Sequence, residues 1–302
     1  MQCPDQLDDP SPMPQMPCTN DALRMFDLSD RVAVVTGATG VLGSALAIGL
    51  ARAGAKVGIL GRRSEAAEAT SAVIRKSHGQ SLGLTADVLD VAALQAAKRA
   101  ILERWNRIDI LVNCAGGNVA EAIVNNERTF FNLSQEAMEQ VVDLNLNGTV
   151  RPSQVFGEAM ADQKSGSIIN ISSMSAQKPL TRVIGYSVAK AAVENLTRWL
   201  AVDLAKKFGE SLRVNAIAPG FFLGDQNRAL LINKDQSLTN RGQTIIDVSS
   251  EYRARQVHTP MSRFRLPDDL VGTAIWLASD AARFVTGVVV PVDGGFSAYG
   301  GV

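Results

Sequence analysis

Apolar residues fall along this chain in short β-rich runs. Between the runs lie longer stretches in which apolar positions recur at helical spacing. The first pattern predicts strands near 32–36, 56–60, 81–85, 109–113, 166–172, 212–217 and 287–291. The second predicts helices near 42–53, 64–77, 90–106, 134–160, 185–208 and 267–278. Strands and helices alternating in this order imply an α/β fold, a doubly wound parallel sheet with helices on both faces. At 302 residues, such a sheet commonly forms a single domain.

Two segments break the rhythm. Residues 1–27 hold five of the eleven prolines and no basic residue before Arg24. That composition predicts a flexible N-terminal arm rather than a secretory signal, with 28–302 as the folded domain. Residues 221–260 are polar, rich in Asn, Gln and Arg, and run up to Pro260. A connection that long within one domain is usually functional or disordered.

Thirty basic and thirty acidic residues balance, so nothing favours nucleic acid or a charged membrane surface. Residues Val32 to Ala51 carry no charge and are as long as a membrane span. A strand buried on both faces, followed by a helix packed on it, is equally apolar. Thr36-Gly37 at the junction and Gly54-Ala55-Lys56 at the next turn favour that reading. Cys3, Cys18 and Cys114 make no disulfide framework, and His78 and His258 offer no zinc spacing. The expectation is a reduced, cytoplasmic protein without a metal.

Three short segments carry chemistry. Thr36-Gly37-Ala38-Thr39-Gly40-Val41-Leu42-Gly43 follows the apolar run Val32–Val35 directly. Strand, glycine turn and helix in that order form a dinucleotide site, because helix-start amides and close backbone approach suit a pyrophosphate. Ser167-Ile168-Ile169-Asn170-Ile171-Ser172-Ser173 reads as a buried strand with hydroxyls at its carboxyl end, where ligands of open parallel sheets bind. Tyr186 and Lys190 are four residues apart, which puts phenol and ammonium on one helix face. A lysine beside a tyrosine favours the tyrosinate, so Lys190 is expected to lower the phenol pKa from its usual ~10.

With these segments in this order, the chain resembles the single-domain short-chain dehydrogenase/reductases from about Phe26 to its C-terminus. Further matches are Asn113-Cys114-Ala115-Gly116 after a strand, Asn145 in Asp143–Gly148, and Pro219-Gly220 after Arg213-Val214-Asn215. The resemblance implies a Rossmann fold and a catalytic tetrad of Asn145, Ser173, Tyr186 and Lys190. Ser173, thirteen residues before Tyr186, matches the family's offset better than Ser172. Asn145 would bend its helix, and Lys190 would bind the nicotinamide ribose. Cofactor contacts would come from Gly37, Thr39, Gly40, Val41, Leu42, Gly43, Asp87, Val88, Asn113, Ala115, Gly116, Tyr186, Lys190, Pro219 and Gly220. Gly37, Gly40 and Gly43 follow TGxxGxxG, where the single-domain pattern is TGxxxGxG.

A closer likeness is to the D-mannonate oxidoreductase (fructuronate reductase) branch. It rests on Gly116-Gly117-Asn118, Ile217–Leu223, Asp225–Arg228 and Asp293–Tyr299. That branch implies an interconversion of keto group and secondary alcohol on a sugar acid. Other carbonyls, such as a 3-oxoacyl thioester or a polyol, are the alternative, and a dinucleotide-sensing regulator is a third. Candidate substrate contacts are Asn118, Lys178, Arg182, Gln226, Asn227 and Arg228, with a lid near 221–260. The family also implies a homotetramer built on the long helices.

The second strand ends in Gly61, followed by Arg62 and Arg63. An NAD enzyme usually carries an acid at that strand end, which holds the ribose hydroxyls and repels a 2′-phosphate. The acid is missing and two guanidiniums suited to phosphate stand beside the gap. NADP(H) is therefore expected over NAD(H).

Overall fold

A computed structural model describes residues 19–178, 180, 182–221, 237–238, 244–245, 257–263 and 266–300. Seven parallel strands form the central sheet. They are β1 (Val32–Thr36), β2 (Lys56–Gly61), β3 (Ser81–Thr85), β4 (Ile110–Asn113), β5 (Gly166–Ile171), β6 (Leu212–Pro219) and β9 (Val289–Val292). Their order is β3-β2-β1-β4-β5-β6-β9. All the predicted strands are present, with shifts of a residue or two at their ends.

Alternation within β1 sets the layers. Ala33 and Val35 join one core cluster, Val32 and Val34 the other. The first face packs under α2 (Val41–Arg52), α3 (Ser64–Lys76) and α8 (Val271–Ala278), through Leu46, Leu50, Ala67, Ile74 and Leu277. The second lies under α4 (Val91–Trp105), α6 (Gly148–Gln163) and α7 (Ile184–Phe208), through Leu94, Ile101, Phe156, Met160 and Ala201. This is the three-layer Rossmann arrangement in one domain.

The strand order reverses between β1 and β4, and such a switch point opens a crevice at the carboxyl ends. Thr36 stands opposite Asn113 in register, so the turns leaving both strands emerge side by side. The Thr36 hydroxyl joins them, accepting from the Cys114 and Ala115 amides at 3.1 and 3.2 Å.

One expectation needs correction, and two segments gain detail. The helix expected over 134–160 is α5 (Gln135–Val142), a π-turn (Asp143–Asn147) and then α6. Local side-chain bonding at Asn145 breaks the register, as shown below. The arm expected to be flexible over 1–27 carries helix α1 (Thr19–Arg24). The Met25 carbonyl beyond it accepts from the Ala281 amide at 3.0 Å, which ties the arm's end to the domain. Within the expected lid, β7 (Ser237–Leu238) and β8 (Thr244–Ile245) form a short antiparallel ladder. The rest of 222–256 lies outside the described residues.

Candidate active site

The glycine turn is built for close backbone approach. Gly37 has φ +63°, and a Cβ there would sit 2.8 Å from the Ala115 Cα. A Cβ on Gly43 would lie 2.3 Å from the Gly37 carbonyl oxygen, so the start of α2 presses against the turn. A Cβ on Gly40 would meet nothing closer than 3.4 Å, so that position is less constrained. Gly40 is the N-cap of α2 and no side chain caps the helix there. The first amides of Val41, Leu42 and Gly43 stand at an uncapped helix start, the kind of end that could hold an anion such as a pyrophosphate.

Beside the glycine turn stand the ends of β2 and β3. Thr39 closes over Gly61, where a Cβ would lie 2.5 Å from the Thr39 Cγ2. Arg62 is exposed and its guanidinium is 4.0 Å from the Asp87 carboxylate. Asp87 also accepts from the Leu89 amide at 2.9 Å, which fixes its turn. Arg63 is the exposed N-cap of α3. Val88 is buried against Gly148, so its side chain belongs to the core and only its backbone can face a ligand.

Asn113 corrects another expectation. Its side chain turns into the core, donating to the Ser153 hydroxyl and the Asn170 carbonyl oxygen, both at 2.9 Å. It holds β4 to β5 and α6 instead of lining the crevice. Ala115 and Gly116 do follow the strand into the crevice, and Pro219-Gly220 ends β6 on the same side of the sheet.

The four tetrad candidates converge. Asn145 is fully buried and locked to the loop after β4. Its amide donates to the Gly117 carbonyl at 2.7 Å and to the Val141 carbonyl at 2.8 Å, while its oxygen accepts from the Gly117 amide. The bond to Val141, four residues back, competes with the helix's own ladder, which accounts for the π-turn. A Cβ on Gly116 would meet the Asn145 Oδ1 at 2.6 Å and the Lys190 Nζ at 3.3 Å, so Gly116 sits between those groups. Lys190 is buried, donates to the Ile171 carbonyl at 2.8 Å, and lies 5.6 Å from the Tyr186 ring centroid. Ser173 stands beside Tyr186 and favours its ionised form.

The two adjacent serines are separated by this geometry. Ser172 is buried and donates to Glu194 at 3.0 Å, away from the phenol. Ser173, at the end of β5, meets Tyr186 and accepts from the Ser175 amide at 3.2 Å.

Electrostatics overturn one expectation. Burial pushes the Tyr186 phenol above its usual range, Ser173 opposes that rise, and the Cys114 thiol adds to it. Lys190, whose ammonium donates to the Ile171 carbonyl, does not outweigh this burial. Burial instead lowers Lys190 itself to about 8. Burial also raises the Cys114 thiol to about 11, which leaves it an unreactive packing group.

The substrate side divides. Lys178 donates to the Phe296 and Tyr299 carbonyls at 3.3 and 2.9 Å and lies over the Phe296 ring. It anchors the C-terminal segment and is not available for a substrate carboxylate, a correction to the sequence reading. Asn118 is exposed just after Gly117. Arg182 is exposed four residues before Tyr186, and its carbonyl accepts from the Val124 amide. Gln226, Asn227 and Arg228 lie outside the described residues.

Comparison with known proteins agrees with this geometry. The short chain dehydrogenase family model matches residues 31–235. The chain is 45% identical over 285 residues to the uncharacterized oxidoreductase UxuB of Bacillus subtilis (strain 168), covering 91% of this chain and 98% of that one. A provisionally assigned D-mannonate oxidoreductase from Haemophilus influenza, solved with bound NAD, superposes with a TM-score of 0.81 at 38% identity, covering 91% of this chain and 98% of that one. A gluconate 5-dehydrogenase from Burkholderia cenocepacia J2315, in complex with NADP and tartrate, gives a TM-score of 0.78 at 30% identity, covering 92% and 99%. The chain belongs to the short-chain dehydrogenase/reductase family and is a nicotinamide-dependent oxidoreductase of that type.

Proposed function

We propose that this enzyme interconverts a keto group and a secondary alcohol on a sugar acid of the fructuronate/D-mannonate type. The observation that carries this reading is the likeness over nine-tenths of the chain to the Haemophilus protein. The gluconate 5-dehydrogenase supports the same substrate class. The glycine turn, Ala115, Gly116, Pro219 and Gly220 would hold a nicotinamide dinucleotide, which would supply or take up the hydride. In the reducing direction, Ser173 donates a hydrogen bond to the carbonyl oxygen, where negative charge develops. Tyr186 gives its proton to that oxygen and is left as the anion. Lys190 holds the cofactor ribose, and Asn145 fixes the Gly116-Gly117 wall beside it. Rates with D-fructuronate, 5-keto-D-gluconate, a 3-oxoacyl thioester and a ketose test the substrate class. A kcat/KM on the thioester above that on both sugar acids would overturn it.

NADP(H) is the proposed cofactor, on the missing acid at Gly61. The Arg62–Asp87 pair is exposed and weak, so Arg62 is free to turn to a 2′-phosphate. Steady-state kinetics should give a higher kcat/KM with NADPH than with NADH. Gly61→Asp, combined with Thr39→Ser to clear the Cγ2 contact, should shift that ratio toward NADH by about tenfold or more, because like charges repel at close range. An unchanged ratio would sink the assignment.

The working form is proposed to be a cytoplasmic homotetramer. Among the described residues, no helix is long and apolar enough to cross a membrane. Val188, Trp199 and Val202 are exposed apolar groups on α7. Light scattering should give a mass near four times 32.2 kDa, and Trp199→Glu should reduce it. A stable wild-type monomer at micromolar concentration would refute this.

A further inference from the structure

We propose that Glu194 is a positioning residue, which sets the Ser173 hydroxyl against the Tyr186 phenol. Glu194 lies on α7 one turn beyond Lys190, and it is only 5% exposed. A carboxylate so buried is rare unless its oxygens are occupied. Its Oε1 accepts from the Ser172 hydroxyl at 3.0 Å and from the Gln177 side-chain amide at 3.2 Å. Its Oε2 accepts from Arg198 at 3.4 Å. Ser172 and Gln177 are the two ends of one short loop. Between them lie Ser173 and the 3-10 turn Met174–Ala176.

One carboxylate therefore stakes both ends of the Ser173 loop to the helix that carries Tyr186 and Lys190. Outside α7, the loop's start is fixed by the Ser172 amide, which donates to the Ile217 carbonyl of β6 at 2.8 Å. Ser173 accepts from Ser175 within the loop, and the buried Ser175 hydroxyl has no hydrogen-bond partner. The Ser172 hydroxyl has one further acceptor, the Lys190 carbonyl at 3.4 Å, also on α7. Without Glu194, the distance from Ser173 to Tyr186 would rest on that longer bond, on the Ser172 amide's bond to the Ile217 carbonyl and on packing. A displacement of about 1 Å at such a site costs up to roughly a hundredfold in rate.

Both acceptor contacts fall on Oε1, and this dictates the test. Glu194→Gln keeps an oxygen there and loses only the charge facing Arg198, whose side chain is 54% exposed and can turn to water. Glu194→Leu removes both contacts. The inference rests on the roles given to Ser173 and Tyr186, so Ser173→Ala is measured alongside. The assay uses NADPH with the fastest carbonyl of a panel that includes 2,3-butanedione, so it does not depend on the sugar-acid reading. Glu194→Leu should lower kcat about tenfold or more with the NADPH Kd within twofold of wild type, and Glu194→Gln should stay within about threefold. In the Ser173→Ala background, Glu194→Leu should cost nothing further, which a merely structural role would not produce. Ser172→Ala, the milder variant, should lower kcat by about threefold if Glu194→Leu fails to fold.

Glu194→Leu with wild-type kcat, equal losses in both backgrounds, or Ser172→Ala without effect would each overturn the proposal. A Ser173→Ala enzyme that kept its rate would remove the underlying assignment instead, and the proposal with it.

Discussion

Tyr186→Phe is expected to lower kcat by about 10² to 10⁴, the usual range for loss of a positioned general acid. The ring stays, so its packing and the Lys190 Nζ contact at 5.6 Å from the centroid are kept. Only the phenolic hydroxyl, with its transferable proton and its influence from Ser173, is lost. Cofactor affinity, measured by NADPH fluorescence, should therefore change less than twofold. The phenol is held above its usual range, so at neutral pH it is protonated and ready to give a proton. Carbonyl reduction by the wild type should thus be flat near neutrality. Alcohol oxidation needs the anion and should climb with pH across the alkaline range. A Tyr186→Phe enzyme with more than a tenth of wild-type kcat would show that the proton comes from elsewhere.

Much of this is legible in the sequence because it is encoded locally. The alternation of buried runs and helical stretches fixes the sheet and its layers. The glycine turn sits where strand meets helix, and Tyr186 and Lys190 are one turn apart on one helix. What escapes such a reading depends on contacts between distant positions. Lys178 looks like a free cation until the chain brings Phe296 and Tyr299 onto it, more than a hundred residues later. Asn113 looks like a crevice residue, since nothing local shows Ser153 and Asn170 behind it. Glu194 reads as an ordinary helix acid, and only the fold places Ser172 and Gln177 against it. The direction of the Tyr186 shift is missed for the same reason. Spacing puts Lys190 near the ring but does not reveal that burial dominates and that its ammonium faces Ile171.

Lys190→Met is expected to separate stability from activity. Burial holds the folded Lys190 at about 8, against 10.5 for an unfolded lysine. Below pH 8 the folded chain must keep a buried ammonium, and the unfolded chain solvates it freely. The unfolded state binds the extra proton between those two values, so the penalty shrinks as pH rises through that window. A shift of this size corresponds to at most about 3 kcal/mol. The lost bond to the Ile171 carbonyl offsets part of it, about 1–2 kcal/mol. Methionine fills similar volume without charge, so at pH 7 the variant should melt roughly 2–4 °C above wild type. Comparing the two proteins at each pH cancels most of the opposing contribution of Cys114, which titrates in both. At pH 10 the gain should vanish or reverse, because the folded wild-type amine is then neutral, most of the penalty is gone and the Ile171 bond outweighs what remains. Activity should fall at least about a hundredfold at every pH, since the methionine holds no ribose hydroxyl beside Tyr186. Calorimetry at pH 7 and pH 10 checks the first part. A variant less stable than wild type at pH 7 would mean that the ammonium is better solvated in the crevice than its burial implies.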